Sequence, residues 1–318
     1  MIACGHADAK KFGRDRKGNQ RFRCLMCGKT WTEQPVKPIG NLRMDMDKAV
    51  AVLTALAEGC SVRSTARMFK VRKNAVIDLM VLVGERCQRF LESRIVDVPV
   101  EVVEADEIWS FVGAKQSTCD RKKFGPEKGT HFCYTAIERH SKLLICWHFG
   151  WRSTESATVF VGKLDRATSG TFTLSTDGMT GYYDAVTKQI GGRVHYGQIV
   201  KIFQGERSNK AEAKYSPGSI KQIKKTVCCG WPSEKEISTS ICERQNLNIR
   251  TFCRRMTRLT NAFSKKLANH EAAMAFYFAH YNFVRKHGTI KTTPAVKAGL
   301  TDHQWTMEEL LAAAATQT

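Results

Sequence analysis

Between Asp47 and Ala57 the apolar positions repeat at helical spacing, and the pattern predicts a helix ending near Gly59. A short helix over Ser61–Phe69 follows, with Ser61 as its N-cap, then a turn at Lys70–Arg72 and a third helix over Lys73–Cys87. From Val98 the period changes. Val98–Val112 is β-branched and half-alternating, as strands are, and Thr171–Asp177 is a short strand closing on an aspartate before the turn glycine Gly178. Phe132–Glu138 and Leu143–Phe149 predict a hairpin turning at His140-Ser141-Lys142, and His195–Phe203 a further strand. Ser153–Leu164 is a predicted helix crossing the sheet, with Ser153 as cap and Glu155 in its first turn.

Glu243 through Lys266 predicts a long amphipathic helix. At 100° per residue, Glu243, Leu247, Arg250 and Arg254 share one side, and Ile249, Phe252, Met256, Leu259 and Phe263 the other. Arg250, Arg254, Arg255, Arg258, Lys265 and Lys266 follow Glu243 with no acid among them from Ile249 onward. Either this is an ordinary helix with a solvated basic face, or an acid leads a track for a polyanion. Further on, Phe276, Tyr277, His280, Tyr281 and Val284 lie on helical spacing and read as packing, as do Trp109 and Trp147.

These elements divide the chain at residues 1–34, 41–95, 98–300 and a 301–318 tail, with an insertion at about 204–238. The insertion is basic, dotted with Gly and Pro, and reads as a loop-rich DNA contact containing Lys221, Lys224 and Lys225. The order strand-strand-strand-helix-strand-helix-strand, then the Glu243 helix, describes an α/β mixed sheet with flanking helices.

Charge narrows the partners. Lys and Arg number 50 against 30 Asp and Glu, a net charge of +20, which points to nucleic acid or an anionic membrane. No apolar run approaches the ~20 residues of a spanning helix, and the N-terminus lacks the order of a signal peptide. Twelve cysteines scattered through predicted elements fit reduced thiols in a cytoplasmic protein.

Acids inside strands are disfavoured and costly to bury unpaired, which draws attention to the acids within Val98–Val112 and to Asp177 closing the later strand, with Glu243 on the helix beyond. Carboxylates gathered from two strands and a helix are what two-metal phosphoryl chemistry needs. Glu104 shares the face of Asp106 if the strand alternates and is the reserve ligand, whereas Glu107 lies opposite. The blocks Glu104-Ala105-Asp106-Glu107-Ile108-Trp109-Ser110-Phe111-Val112-Gly113, Thr176-Asp177-Gly178 and Glu243-Arg244-Gln245-Asn246-Leu247 with Arg250 resemble the Asp-Asp-Glu motifs of the insertion-sequence-one class of bacterial transposases. Tyr281 through His287 and Thr292-Thr293-Pro294-Ala295 extend the resemblance over nearly the whole chain. It implies a ribonuclease-H-like fold with Asp106, Asp177 and Glu243 as a catalytic, Mg²⁺-binding triad for two ions, Mn²⁺ being able to substitute. It also implies a homo-oligomer on paired ends of double-stranded DNA, in the cytoplasm and associated with the nucleoid. Arg250 matches the basic residue kept past the Glu; Arg254 and Arg258 would continue the DNA contact.

Two N-terminal features fit recognition of DNA. Cys24 and Cys27 form one knuckle of a zinc-ribbon-like module, and Cys4 with His6 is the candidate second pair. The one-residue spacer between Cys4 and His6 departs from the usual two, so Cys4, Cys24 and Cys27 are stronger Zn ligands than His6. The alternative is a ribbon-shaped module without metal. Arg72, Lys73 and Asn74 open the third helix of a helix-turn-helix, where base edges are commonly read. The expected activity is metal-dependent strand cleavage and strand transfer. A regulator with inert carboxylates, or a nuclease that cuts without joining, would carry many of the same features.

Overall fold

The computed structural model describes residues 4–16, 18–32, 37–203, 220–258 and 260–316. Three short strands come first: β1 (Ala9–Arg14), β2 (Gln20–Cys24) and β3 (Thr30–Thr32), an antiparallel sheet in which Phe22 stacks on Trp31 with ring centres 5.9 Å apart. Helices α1 (Met46–Ala57), α2 (Val62–Met68) and α3 (Lys73–Arg94) follow. Caps explain the starts of α1 and α2: Asp45 accepts from the Lys48 N–H and Ser61 from the Ser64 N–H.

Helix α3 runs a full seven residues beyond the expected end at Cys87, because its second half has a partner. The elements after it are β4 (Val98–Pro99), β5 (Val102–Val112), α4 (Gln116–Lys122), β6 (Gly129–Glu138), β7 (Leu144–Gly150) and α5 (Thr154–Ala167). Then come β8 (Thr168–Ser169), β9 (Phe172–Asp177), α6 (Gly181–Gln189), β10 (Val194–Phe203), β11 (Ile220–Cys229) and α7 (Ser240–Phe252). Helices α8 (Leu267–Ala279), α9 (Pro294–Lys297) and α10 (Met307–Ala315) close the chain. Helix α3 packs along α8, and at the crossing Gly84 is pressed so closely that an added Cβ would lie 2.0 Å from the Ala272 carbonyl oxygen. Beyond it Phe90 meets Phe283 and Trp305, with ring centres 5.1 and 5.5 Å away.

The central sheet has the order β11-β10-β9-β5-β6-β7. β5, β6 and β7 are antiparallel in succession, β9 and β10 run parallel to β5, and β11 returns antiparallel. Helices cover both faces. Tyr134 of β6 packs against Phe160 of α5 and Tyr182 of α6, while Trp147 of β7 meets Phe278 of α8. At the first residue of the β7 edge a side chain stands in for a further strand. Asn282, in a π-helical turn over His280–Val284, accepts from the Leu144 N–H at 3.0 Å and donates to its carbonyl at 2.9 Å.

Two expectations change. The helix opened by Glu243 stops at Phe252 rather than running to Lys266. Thr251, Phe252 and Cys253 are poor helix formers, and side chains take over the backbone partners at the break. Arg250 donates to the Met256 carbonyl at 2.8 Å and the Thr257 hydroxyl to the Arg250 carbonyl at 2.9 Å. Met256 is buried and Phe252 and Phe263 half-buried, whereas Leu259 lies outside the described residues. The insertion expected as loop contains β11, which pairs with β10 from Tyr196 to Phe203; residues 204–219 lie outside the described residues. Among the described residues, no helix is long and apolar enough to cross a membrane.

Candidate metal centres

The parallel pairing of β5 with β9 ends at Glu104 opposite Ser175. Two residues further, where the strands part, the same register brings Asp106 beside Asp177. A crevice that opens where parallel strands part, here at the carboxyl end of β9, is where α/β sheets hold ligands. Glu104 and Asp106 face α7. The next side chain, Glu107, crosses to the side of α6, yet Asp106, Glu107 and Asp177 each offer an oxygen within 4.8 Å of the others.

Each carboxylate is positioned by a different element. Asp106 accepts from the Glu107 N–H at 2.8 Å and from the Asn246 amide of α7 at 2.7 Å. Asp177 accepts from the Met179 N–H at 3.0 Å, the turn that ends β9. Arg152, just before the cap of α5, donates to Asp177 at 2.5 Å and to Glu107 at 3.2 Å. The Glu107 carboxylate also faces the buried Tyr182 hydroxyl, and the Asn246 amide oxygen is buried without a hydrogen-bond partner. Burial, then the charge of Glu107, with smaller contributions from Asp177 and Glu243, push the Asp106 carboxyl up to about 7. Burial and Asp177 raise Glu107 as well. Crowded hard oxygens with unsatisfied lone pairs suit a divalent cation, which would relieve both the repulsion and the burial cost.

Glu243 stands outside this trio. Its carboxylate is half-exposed, accepts from the Thr239 hydroxyl at 2.9 Å and is ion-paired with Lys201 of β10. It lies on α7 three residues before Asn246, close enough for its charge to act on Asp106. Glu104 is wholly buried and engaged elsewhere. It pairs with Arg139 at 2.9 Å and accepts from the Ile241 and Cys242 N–H groups at 2.7 and 3.2 Å, capping α7, whose own Thr239 makes no side-chain cap. Sequence reasoning passed over three residues of the site. Glu107 was set aside by strand alternation, Asn246 had no role assigned, and Arg152 gave no signal beyond its place beside the Ser153 cap.

The four N-terminal candidates come together. Cys4, His6, Cys24 and Cys27 lie with ligand atoms within 4.8 Å of one another, His6 Nδ1 being 3.6 Å from the Cys24 sulfur. The knuckle is a tight turn closed by the Gly28 N–H on the Cys24 carbonyl at 3.1 Å. The backbone N–H of Cys27 leads the groups that lower the Cys24 thiol to about 6, favouring the thiolate a metal requires. Three sulfurs and an imidazole are a soft donor set, distinct from the oxygen set of the central sheet.

The basic candidates divide. Arg72, Lys73 and Asn74 are exposed at the start of α3, and Arg72 and Asn74 line a groove of about 730 Å³ together with Arg43, Lys48 and Asp78. Arg254 and Arg258 are exposed. Arg250 is drawn inward, donating to the Met256 and Trp109 carbonyls, and burial followed by the charge of Arg258 lowers it to about 10. No protein-family model and no curated protein matches the chain.

Proposed function

We propose that the chain is a DNA transposase of ribonuclease-H-like fold that cuts and joins strands at the ends of an insertion sequence. The observation that carries this reading is the meeting of Asp106 and Asp177 where β5 and β9 part, with the buried Glu107 carboxylate crowded against them. The sheet order with three antiparallel strands followed by two parallel ones supports the fold assignment, and the resemblance of the three acidic blocks supports the reaction.

Asp106, Asp177 and Glu107 would hold divalent ions, Mg²⁺ or Mn²⁺, which supply charge neutralisation at phosphate and a nucleophile at neutral pH. Asn246 fixes the rotamer of Asp106 from α7. Glu243 serves as the third acid of the reaction once Lys201 is drawn to the phosphate backbone. Arg254 and Arg258 hold DNA along the exposed side of the break after α7, and Arg250 supports that segment from within. Arg72, Lys73 and Asn74 read the terminal repeat in the major groove, with a homo-oligomer bringing two ends together. Lys221 and Lys224 on the exposed strand β11 add phosphate contacts.

The test is incubation of the purified chain with labelled DNA ends from its own locus in Mg²⁺. Joined products are expected. Cleavage without joining would make it a nuclease, and a footprint without nicking in Mg²⁺ or Mn²⁺ a regulator.

The N-terminal cluster is proposed as a structural Zn²⁺ site in a ribbon-like module. Atomic emission on protein purified without chelator should find about one zinc per chain. Cys24→Ser combined with Cys27→Ser should remove it and lower affinity for the DNA ends. A metal-free wild type that binds the ends normally would refute the zinc assignment.

A further inference from the structure

We propose that Arg152 is a displaceable counter-ion: it holds Glu107 and Asp177 while the cluster lacks a divalent cation and releases both when one is bound. The inference rests on the reading of that cluster as a divalent-cation site.

Three features point to it. First, Arg152 spreads its donors over two carboxylates, 3.2 Å to Glu107 and 2.5 Å to Asp177, instead of forking onto one. A fork onto a single carboxylate is the geometry of a fixed arginine tie, and bridging two acids is what a metal does in such clusters. Second, the charges do not balance. Three carboxylates share the space, and one guanidinium meets two of them. Third, the Glu107 side chain is 2% exposed, and apart from Arg152 its carboxylate faces a neutral group, the buried Tyr182 hydroxyl, rather than a second cation. A buried carboxylate that meets one shared guanidinium and a neutral hydroxyl is under-compensated in charge, which leaves room for a cation of higher charge. The geometry is that of a site held closed by a stand-in of lower charge.

Arg152 is also free to leave. It is 44% exposed, lies in the short turn between β7 and α5, and its backbone carries no cap for the helix, which Ser153 supplies. Leaving breaks two hydrogen bonds to ionised groups. A divalent cation in its place meets all three acids at once, with twice the charge. Arg152 is therefore a positioning residue that sets cation affinity and keeps the acids preformed. It also lets the fold carry a buried acidic cluster before any cation arrives.

The experiment is Mn²⁺ titration followed by the electron paramagnetic resonance of free Mn²⁺, on the full chain and on Arg152→Gln and Arg152→Lys. Removing a positive charge beside the site should tighten Mn²⁺ binding by about tenfold in Arg152→Gln, with Arg152→Lys between. Without metal, the Arg152→Gln protein should melt below wild type, and Mn²⁺ should raise its Tm by more than it raises the wild-type value. A merely structural arginine predicts the reverse, weaker Mn²⁺ binding with the lost stability. Equal or weaker affinity in folded Arg152→Gln overturns the inference alone. Absence of Mn²⁺ binding in wild type overturns it together with the cation-site reading. If Arg152→Gln does not fold, the arginine Nε–H resonance absent from the Arg152→Lys spectrum serves instead. In wild type it should shift and exchange faster with water as Mg²⁺ saturates, and a resonance that stays put overturns the inference.

Discussion

Asp106→Asn and Asp177→Asn should each reduce strand cleavage in Mg²⁺ by about a thousandfold or more. That is the scale of several kcal/mol of lost transition-state stabilisation when a metal ligand is neutralised. The loss should come without unfolding. Asparagine keeps the volume and one oxygen of each side chain, and Asp106 is a residue whose ionised form burial and Glu107 oppose. Removing that charge relieves repulsion in the metal-free protein, so the Tm of Asp106→Asn should equal or exceed that of wild type. Footprints on the DNA ends should be unchanged, because Arg72, Lys73 and Asn74 lie on another element. Cleavage near the wild-type rate by either variant would remove the carboxylate cluster from the reaction. A parallel assay of Glu243→Gln then reports whether the acid paired with Lys201 takes part.

Glu104→Ala should be the most damaging single change to the fold, by about 3–5 kcal/mol, the cost of breaking a buried ion pair from one side. The substitution strands Arg139 and leaves the first N–H groups of α7 without their acceptor. It would also loosen the helix that brings Asn246 to Asp106. Urea denaturation gives the number directly, provided the slope m is unchanged. Full stability with lost cleavage would instead make Glu104 a ligand, its alternative role as judged from strand spacing.

That pair of acids shows how far sequence reading reaches. Alternation along β5 correctly sets Glu104 and Asp106 on one face, because the strand has period two whatever lies beside it. It cannot say which of them meets a helix N-terminus and which the open crevice. That depends on where α7 arrives, from more than a hundred residues away. Glu107 was set aside by the same rule, since facing the other side seemed to exclude it. Where β5 has parted from β9 on one side, although β6 still pairs with it on the other, both faces open onto one space. Arg152 was invisible for a related reason: its partners are 45 and 25 residues away, and nothing local marks it.

The elements themselves were legible where one face is buried. α1, α2, the β6–β7 hairpin and the aspartate closing β9 all follow from periodicity and caps. β11 was missed because its residues from Ile220 to Val227 are exposed on both faces, so lysines interrupt the apolar alternation that betrays a strand. The break after Phe252 lay hidden under a well-spaced apolar stripe, decided by side-chain hydrogen bonds of Arg250 and Thr257 that no spacing encodes.

The seal that Asn282 places on Leu144 bears on assembly. A sheet with two open edges can add copies head to tail without limit. At Leu144 both backbone groups that an added strand would use are taken by an amide, so open-ended growth through the β7 edge is blocked at its first residue.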